Sequence, residues 1–183
     1  MKTANLNIML AGFGGQGILF AGKVIAYAGL LDGHEVSWLP SYGPEMRGGT
    51  ANCSVVISEE VIGSPLVTEL DALIVMNLPS YTRYVSSVVP GGVVILDSDL
   101  ISGYTAQSDI AYYPIPATSL ANEHDLRTLA NVIMVGKLMA VTDFADQETL
   151  FQAIDKSVSS RHLDLAEANK RALLLGATWQ ATD

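Results

Sequence analysis

The amino-acid sequence predicts an α/β fold: an open, mostly parallel sheet with flanking helices and a helical C-terminal segment. Short apolar runs alternate with amphipathic stretches over the first two-thirds of the 183 residues, as in parallel-sheet proteins. The first apolar run ends in a glycine-rich turn that leads into a helix, and the pattern becomes helical from Thr118 onwards. We therefore expect a single Rossmann-like domain spanning residues 1–183.

Each element follows from its own pattern. Apolar runs predict six strands, at residues 6–11, 35–39, 51–57, 71–76, 93–96 and 110–115. Helices are predicted at about 15–31, from Pro79 onwards, and at about 119–123, 129–141, 147–158 and 163–177. Pro40 is expected to end the second strand, Pro90 to begin a turn, and Pro114 to place the last strand at an edge.

Charge and hydropathy exclude two classes of partner. The net charge is −9, and Arg83 is the only cation between Gly48 and Leu126, against nine acidic residues. Such a surface offers no basic stripe for a nucleic acid. No apolar stretch reaches the roughly 20 residues that span a bilayer, and the N-terminal residues lack a signal-peptide pattern. We therefore expect a cytoplasmic protein that binds neither nucleic acid nor membrane.

The polar inventory offers little catalytic chemistry. The single cysteine, Cys53, lies in a strand-like run and is expected to be a buried, inert thiol, which excludes a cysteine-ligated cluster built within this chain. Asp97 and Asp99 follow the fifth strand, where turn and hydrogen-bonding roles are expected. The three histidines, His34, His124 and His162, lack metal-ligand spacing. We therefore predict neither a catalytic residue nor a metal site.

The glycine turn is the first candidate binding site. Its spacing, G-x-G-x-x-G between a strand and a helix, leaves backbone amides facing an anion at the positive end of the helix dipole. The second strand ends without the acid that binds a ribose in dinucleotide sites, and Ile18 occupies the place of the Walker lysine. A phosphate-bearing ligand held by backbone groups is thus predicted, unless the glycines only permit close packing. The predicted contacts are Gly12, Gly14, Gly15, Gln16 and Gly17.

A second glycine-rich loop, Ser41 to Thr50, follows the second strand. It contains Glu45 and Arg47 with no apolar pattern to explain them, and Gly48 and Gly49 come next. A guanidinium in such a loop suits bidentate binding of a carboxylate or phosphate. An ion pair between Glu45 and Arg47 that merely stiffens the loop explains the residues equally well.

Taken together, the two loops resemble the gamma subunit of 2-oxoacid:ferredoxin oxidoreductases. The resemblance rests on Gly12–Gly17, on Ser41–Gly49 running into residues 52–58, and on the strand at 71–77. Pro116-Ala-Thr118 and Asn131 are also similar to the family, so the likeness covers nearly the whole chain. Either glycine motif alone is a weak signal, whereas both in this order and spacing are specific.

The resemblance implies one part of a multi-subunit enzyme that oxidatively decarboxylates a 2-oxoacid and transfers the acyl group to coenzyme A. It implies thiamine-binding alpha and beta subunits and a ferredoxin-like delta subunit, which carry thiamine diphosphate, Mg²⁺ and iron–sulfur clusters. External ferredoxin or flavodoxin accepts the electrons. For this chain it implies coenzyme A as the ligand of the glycine turn, and it places Ser41, Glu45, Arg47, Gly48 and Gly49 at a partner subunit or the active-site mouth.

Some alternatives stay open. The short chain favours a 2-oxoglutarate-type enzyme, but the equivalent subunit of an indolepyruvate-type enzyme fits the same motifs. A free-standing nucleotide- or cofactor-binding module accounts for the glycine turn, although it leaves the second loop unexplained. A homodimer of the isolated chain is also an open alternative, because apolar surface left exposed without the partner subunits favours self-association.

Overall fold

The computed structural model describes residues 5–41, 50–159 and 163–181. Within these ranges the chain forms six strands and six α-helices. The strands are β1 (Asn5–Phe13), β2 (Glu35–Ser41), β3 (Thr50–Ser58), β4 (Leu70–Val75), β5 (Val88–Asp97) and β6 (Ala111–Ile115). The helices are α1 (Ile18–Leu31), α2 (Leu78–Tyr84), α3 (Ala117–Glu123), α4 (Ala130–Thr142), α5 (Gln147–Ser157) and α6 (Leu163–Thr178). A single 3₁₀ turn, Val85–Ser87, follows α2.

The strands form one mixed sheet in the order β2-β3-β1-β4-β5-β6. Parallel pairing joins β1 to β4, β4 to β5 and β5 to β6. β3 runs antiparallel to both of its neighbours, β1 and β2. All strands except β3 therefore share one direction, which confirms the predicted open and mostly parallel sheet.

The reversed direction of β3 follows from its connection to β2. Only residues 42–49 separate the two strands, and a parallel crossover needs about a dozen residues or more. The strands therefore pair as antiparallel neighbours, with Glu35 opposite Ser58 and Ser41 opposite Asn52. As a result, β2 ends and β3 begins at the same edge of the sheet as the carboxyl end of β1.

Two of the proline predictions are wrong. Pro40 does not end β2 but lies within it, opposite Cys53, because an edge strand tolerates a residue that donates no ladder hydrogen bond. Pro90 lies within β5, where the pairing of Val88 with Leu70 and of Val93 with Ala72 makes residues 89–92 a bulge against β4. The prediction for Pro114 is confirmed, since β6 is the last strand of the sheet.

The helix starts also differ from the sequence pattern. α1 begins at Ile18, later than predicted, because Gly15 and Gly17 have φ values of 94° and 75° that an α-helix excludes. α2 begins after Asn77, whose side-chain oxygen accepts the Ser80 amide at 2.8 Å, and it ends at Tyr84. None of the helices in the described ranges has the length and apolar character needed to cross a bilayer.

The core lies on both faces of the sheet. On one face α1 and α3–α6 cover the inward side chains of the strands, among them Ile8, Leu10 and Ile74, which are fully buried. On the other face α2 and the segment 98–110 cover Leu73, Val75 and Leu96. Continuous apolar strands such as β4 follow directly from burial on both faces.

The C-terminal helix packs closely against α4. A Cβ atom added at Gly136 would collide with the backbone of Leu173, and one added at Gly176 would collide with the backbone of Ile133. The two glycines therefore let the helix backbones touch where α4 crosses α6. This crossing holds α6 on the same face of the sheet as α1, where α4 and α6 line a cleft beside the glycine turn.

Candidate functional site

The glycine turn lies at the carboxyl end of β1 and ends at the first residue of α1. The amide of Gln16 donates to the carbonyl of Phe13 at 3.2 Å, which closes a tight turn around Gly14 and Gly15. Gly15 and Gly17 both have positive φ, a region in which side chains other than glycine are strained. The predicted strand–turn–helix element is therefore formed.

The turn also lies where the chain connections diverge. α1 leaves β1 towards β2, whereas α2 leaves the adjacent parallel strand β4 towards β5. The amide of Met76, directly after β4, donates to the carbonyl of Ala11 in β1 at 3.0 Å. Open α/β sheets bind their ligands in the crevice at such a switch point.

The turn presents unpaired donors. Among the described residues, the amides of Gly14, Gly15 and Gly17 have no acceptor, and neither does the amide of Ile18 in the first turn of α1. α1 is 14 residues long, so the positive end of its dipole adds to the attraction for an anion. The site is thus built to accept negative charge through the backbone.

Three clefts of about 190, 260 and 430 Å³ meet at Gly15. The smallest continues towards Met76 and Thr118, and the middle one runs past Phe13 to Ala51. The largest runs between α4 and α6, past Asn131. No lysine or arginine of the described ranges lines any of them. An extended ligand that holds a phosphate at Gly15 has room in three directions.

Two carboxamide side chains hold the turn. Gln16 accepts from the amide of Phe13 at 2.5 Å and donates to the carbonyl of Met76 at 3.1 Å. On the other side, the Asn131 side-chain nitrogen donates to the carbonyl of Gly17 at 2.9 Å. The sequence motif predicted Gln16 as a ligand contact, whereas the structure uses both of its polar atoms within the protein.

Comparisons with known proteins identify the family of the chain. Residues 7–179 match the family model described as pyruvate ferredoxin/flavodoxin oxidoreductase. The chain belongs to this family. The solved gamma subunit of a keto/oxoacid ferredoxin oxidoreductase from Geobacter sulfurreducens superimposes on it with a TM-score of 0.80, at 28% identity over 94% of this chain and 96% of that one.

Two oxidoreductase relatives differ in length. The 2-oxoglutarate synthase subunit KorC of Methanocaldococcus jannaschii is 40% identical over 154 residues, which is 82% of each chain. The ketoisovalerate oxidoreductase subunit VorA of Methanothermobacter thermautotrophicus is 37% identical over 175 residues. The match covers 95% of this chain but only 36% of VorA, so the chain spans about a third of the length of that relative.

Only the two ends of the second loop, Ser41 and Thr50, are among the residues that the structure describes. Ser41 is exposed at the end of β2, and its partner Asn52 lies opposite Ala11 in β1. Glu45, Arg47, Gly48 and Gly49 lie outside the described residues. At its other end, Thr50 pairs with Phe13. The two ends of the loop therefore lie at the same sheet edge as the glycine turn.

Asp97 and Asp99 organise the start of α3 beside the smallest cleft. Asp97 is fully buried and accepts from the Thr118 hydroxyl at 2.6 Å and from the Asp99 amide at 3.1 Å. Burial raises the pKa of Asp97 above its ordinary value of 3.8, against the opposing effect of these hydrogen bonds. Asp99 accepts the Ser119 amide at 2.7 Å. The predicted turn and hydrogen-bonding roles are confirmed.

Two further residues contribute structure rather than chemistry. Cys53 is fully buried, and burial raises the pKa of its thiol to about 12, which confirms the predicted inert cysteine. The Lys23 ammonium lies 3.5 Å from the carbonyl of Ser157 and over the ring of Tyr27. It is thus held beside α5 and not at the glycine turn.

Proposed function

We propose that the chain is the gamma-type subunit of a multi-subunit 2-oxoacid:ferredoxin oxidoreductase. Such an enzyme decarboxylates a 2-oxoacid, passes two electrons to ferredoxin and transfers the acyl group to coenzyme A. The observation that carries the proposal is the match with separate subunits of such enzymes. It covers 82% of both chains in sequence for KorC, and 94% of this chain and 96% of the other in fold for the Geobacter subunit. This argues against a free-standing nucleotide-binding module.

The favoured 2-oxoacid is 2-oxoglutarate. KorC of Methanocaldococcus jannaschii combines a high identity with similar coverage of both chains, whereas VorA contains this region as part of a much longer chain. Substrate choice in such an assembly depends on the other subunits as well. The assay below therefore includes pyruvate, 2-oxoisovalerate and indolepyruvate as competing substrates.

The contribution of this subunit is to bind the phosphates of coenzyme A at the glycine turn. The amides of Gly14, Gly15 and Gly17, which have no acceptor within the described ranges, supply directed donors. A Cβ added at Gly15 would meet nothing within 4 Å, so a ligand can approach the backbone there. The coenzyme carries more negative charge than backbone amides neutralise. Lys23 is held beside α5, so Arg47, in the loop whose two ends lie at the same sheet edge as the turn, is the candidate for the missing cation.

The remaining cofactors belong to partner subunits in this proposal. Cys53 is the only cysteine of the chain and is buried, so it offers no ligand set for an iron–sulfur cluster. Thiamine diphosphate with Mg²⁺ is assigned to the alpha and beta subunits, and the clusters to the ferredoxin-like delta subunit. External ferredoxin or flavodoxin then accepts the electrons.

The first test is a tagged pull-down from the native cell, followed by cofactor analysis and 2-oxoacid-dependent viologen reduction. Co-purification of thiamine-binding chains and activity that requires coenzyme A support the subunit. The 2-oxoacid with the highest kcat/KM identifies the substrate. A chain that purifies alone, inactive and carrying a nucleotide, contradicts the proposal in favour of a free-standing module.

The second test addresses the glycine turn. Gly15→Glu in the assembled enzyme places a carboxylate where the phosphate is proposed, so KM for coenzyme A should rise by about tenfold or more. Gly103→Glu is the matched control, because Gly103 also has positive φ and open space around it but lies on the opposite face of the sheet. Equal KM values in both variants would exclude coenzyme A from the turn.

The third test concerns the second loop. If Arg47 supplies charge to coenzyme A, Arg47→Ala raises KM for coenzyme A and Arg47→Lys restores part of the affinity. If it lies at the active-site mouth, kcat falls while KM and assembly are kept. If the loop with Ser41, Glu45, Gly48 and Gly49 contacts a thiamine-binding subunit, the variant no longer co-purifies with it.

A further inference from the structure

The glycines of the turn have different surroundings. A Cβ added at Gly12 would lie 2.6 Å from the side-chain oxygen of Gln16, and one added at Gly17 would lie 2.5 Å from the side-chain nitrogen of Asn131. At Gly15 nothing lies within 4 Å. Gly12 and Gly17 thus make room for two protein side chains, whereas Gly15 is left open to a ligand.

The Gln16 side chain closes the turn on itself. The backbone amide of Gln16 donates to the Phe13 carbonyl, and the side-chain oxygen of Gln16 accepts from the Phe13 amide. Gly14 and Gly15 lie inside the turn that these two hydrogen bonds close. Their own amides have no acceptor among the described residues. The side-chain nitrogen of Gln16 then fixes the loop to the carbonyl of Met76 at the end of the adjacent strand.

We propose that Gln16 is a positioning residue that forms the anion-binding turn before the ligand arrives, and that Gly12 exists to admit its side chain. The proposal rests on the proposed function, in which the turn binds coenzyme A phosphates. Glycine-rich segments lose more conformational freedom on ordering than other backbone. A turn that is already ordered in the free protein does not lose that freedom on binding, and its affinity is higher for that reason.

A substitution at Gly12 offers an independent test of the positioning role of Gln16. Gly12 is buried and lines none of the three clefts, so a methyl group there reaches a ligand only through its neighbours. The neighbours are the Gln16 oxygen at 2.6 Å and the Ile18 side chain at 3.0 Å. Gly12→Ala should therefore displace the Gln16 side chain and reproduce its loss.

The experiment is a double-mutant cycle in the assembled enzyme with Gln16→Met, Gly12→Ala and the pair. Each single change should raise KM for coenzyme A by about tenfold with kcat kept within about twofold. The pair should be no worse than Gln16→Met within about twofold, since the two changes remove one shared interaction. Gln152→Met, at an exposed position on α5, is the control and should change neither constant.

A second readout separates positioning from direct contact. Amide hydrogen exchange at position 16, whose backbone amide donates to the Phe13 carbonyl and closes the turn, is measured in the full chain without coenzyme A. Positioning predicts exchange about tenfold faster in Gln16→Met. A raised KM with unchanged exchange would show that Gln16 contacts the ligand directly, and faster exchange with unchanged KM would show a merely structural role. Either result overturns the proposal.

The cycle also distinguishes this proposal from the one it rests on. If Gly15→Glu raises KM for coenzyme A but Gln16→Met and Gly12→Ala do not, only the positioning role fails. If Gly15→Glu leaves KM unchanged, the assignment of coenzyme A to the turn fails and the positioning role fails with it. Should Gln16→Met not assemble, Gly12→Ala alone carries both readouts, because it keeps the glutamine in the chain.

Discussion

The side-chain nitrogen of Asn131 in α4 lies 2.9 Å from the carbonyl oxygen of Gly17, 114 residues earlier in the chain. That carbonyl also accepts the Ala21 amide at 3.0 Å as the first hydrogen bond of α1. The side-chain oxygen of Asn131 is buried without a partner in the described structure. A buried acceptor without a partner is costly, so α4 holds the glycine turn at the expense of local stability.

This contact predicts an asymmetry between two substitutions of Asn131. Asn131→Asp places a second acceptor against the Gly17 carbonyl and should lower the free energy of unfolding at pH 7 by about 1–3 kcal/mol. Asn131→Ala should cost less, because it also removes the unpaired oxygen. Urea denaturation measures both, with Asn122→Asp on the exposed side of α3 as control. A change in Asn131→Asp no larger than that control would contradict a structural hydrogen bond.

The crossing of α4 and α6 predicts that Gly136→Ala and Gly176→Ala each destabilise the fold by about 2–3 kcal/mol or more. A methyl group at either position meets the backbone of the other helix, and backbone cannot move aside as a flexible side chain can. This loss outweighs the gain of up to about 1 kcal/mol from the better helix propensity of alanine. Gly63→Ala is the control, since Gly63 has open space around it. Unchanged urea midpoints in both helix variants would disprove the close crossing.

The buried thiol predicts slow chemistry at Cys53. With its pKa raised to about 12 by burial, from an ordinary 9.0, almost no thiolate is present at pH 8. Alkylation by iodoacetamide in the native chain should therefore be at least about a hundredfold slower than in urea-unfolded chain. Mass spectrometry of timed aliquots measures both rates. Equal rates would mean that the strand carrying Cys53 is accessible in the native state.

The carboxyl group of Asp97 predicts a pH dependence of stability. Because burial raises its pKa in the folded state above 3.8, the unfolded chain loses this proton first as the pH rises. The contribution of Asp97 to the free energy of unfolding should therefore decrease from about pH 4 up to its folded-state pKa and be constant above it. Urea denaturation of the wild type and Asp97→Asn across the acidic range measures the difference. The exposed Asp109→Asn is the control. If the free energy of unfolding of the wild type minus that of Asp97→Asn increased with pH, the prediction would have the wrong sign.

Asp97→Ala tests the same residue as a hydrogen-bond acceptor. This change leaves the Thr118 hydroxyl and the Asp99 amide without their acceptor, so it should cost about 1–3 kcal/mol more than Asp97→Asn, which keeps one oxygen. The same denaturation series measures it. Equal stabilities of the two variants would show that the oxygen kept in Asp97→Asn contributes nothing to the stability of the fold.

Local patterns were enough to predict most of the fold. Apolar runs bounded by glycine and proline predicted all six strands, and the run at 71–76 corresponds closely to β4. The patterns failed where pairing partners decide the outcome. Pro40 and Pro90 are compatible with strands only because β2 is an edge and β5 contains a bulge, and both facts depend on the neighbouring strand.

The candidate site shows the same division. The sequence by itself determined the strand–glycine turn–helix element, the absence of a ribose acid and of a Walker lysine, and the family, because these depend on residues close together in the chain. Only the tertiary structure decided which glycines of the turn are open and which lie against another side chain. Gln16 reaches Met76 across 60 residues, and Asn131 reaches Gly17 across 114. Hydrogen bonds over such distances leave no periodicity in the sequence, since they arise only when the sheet and its covering helices bring the groups together.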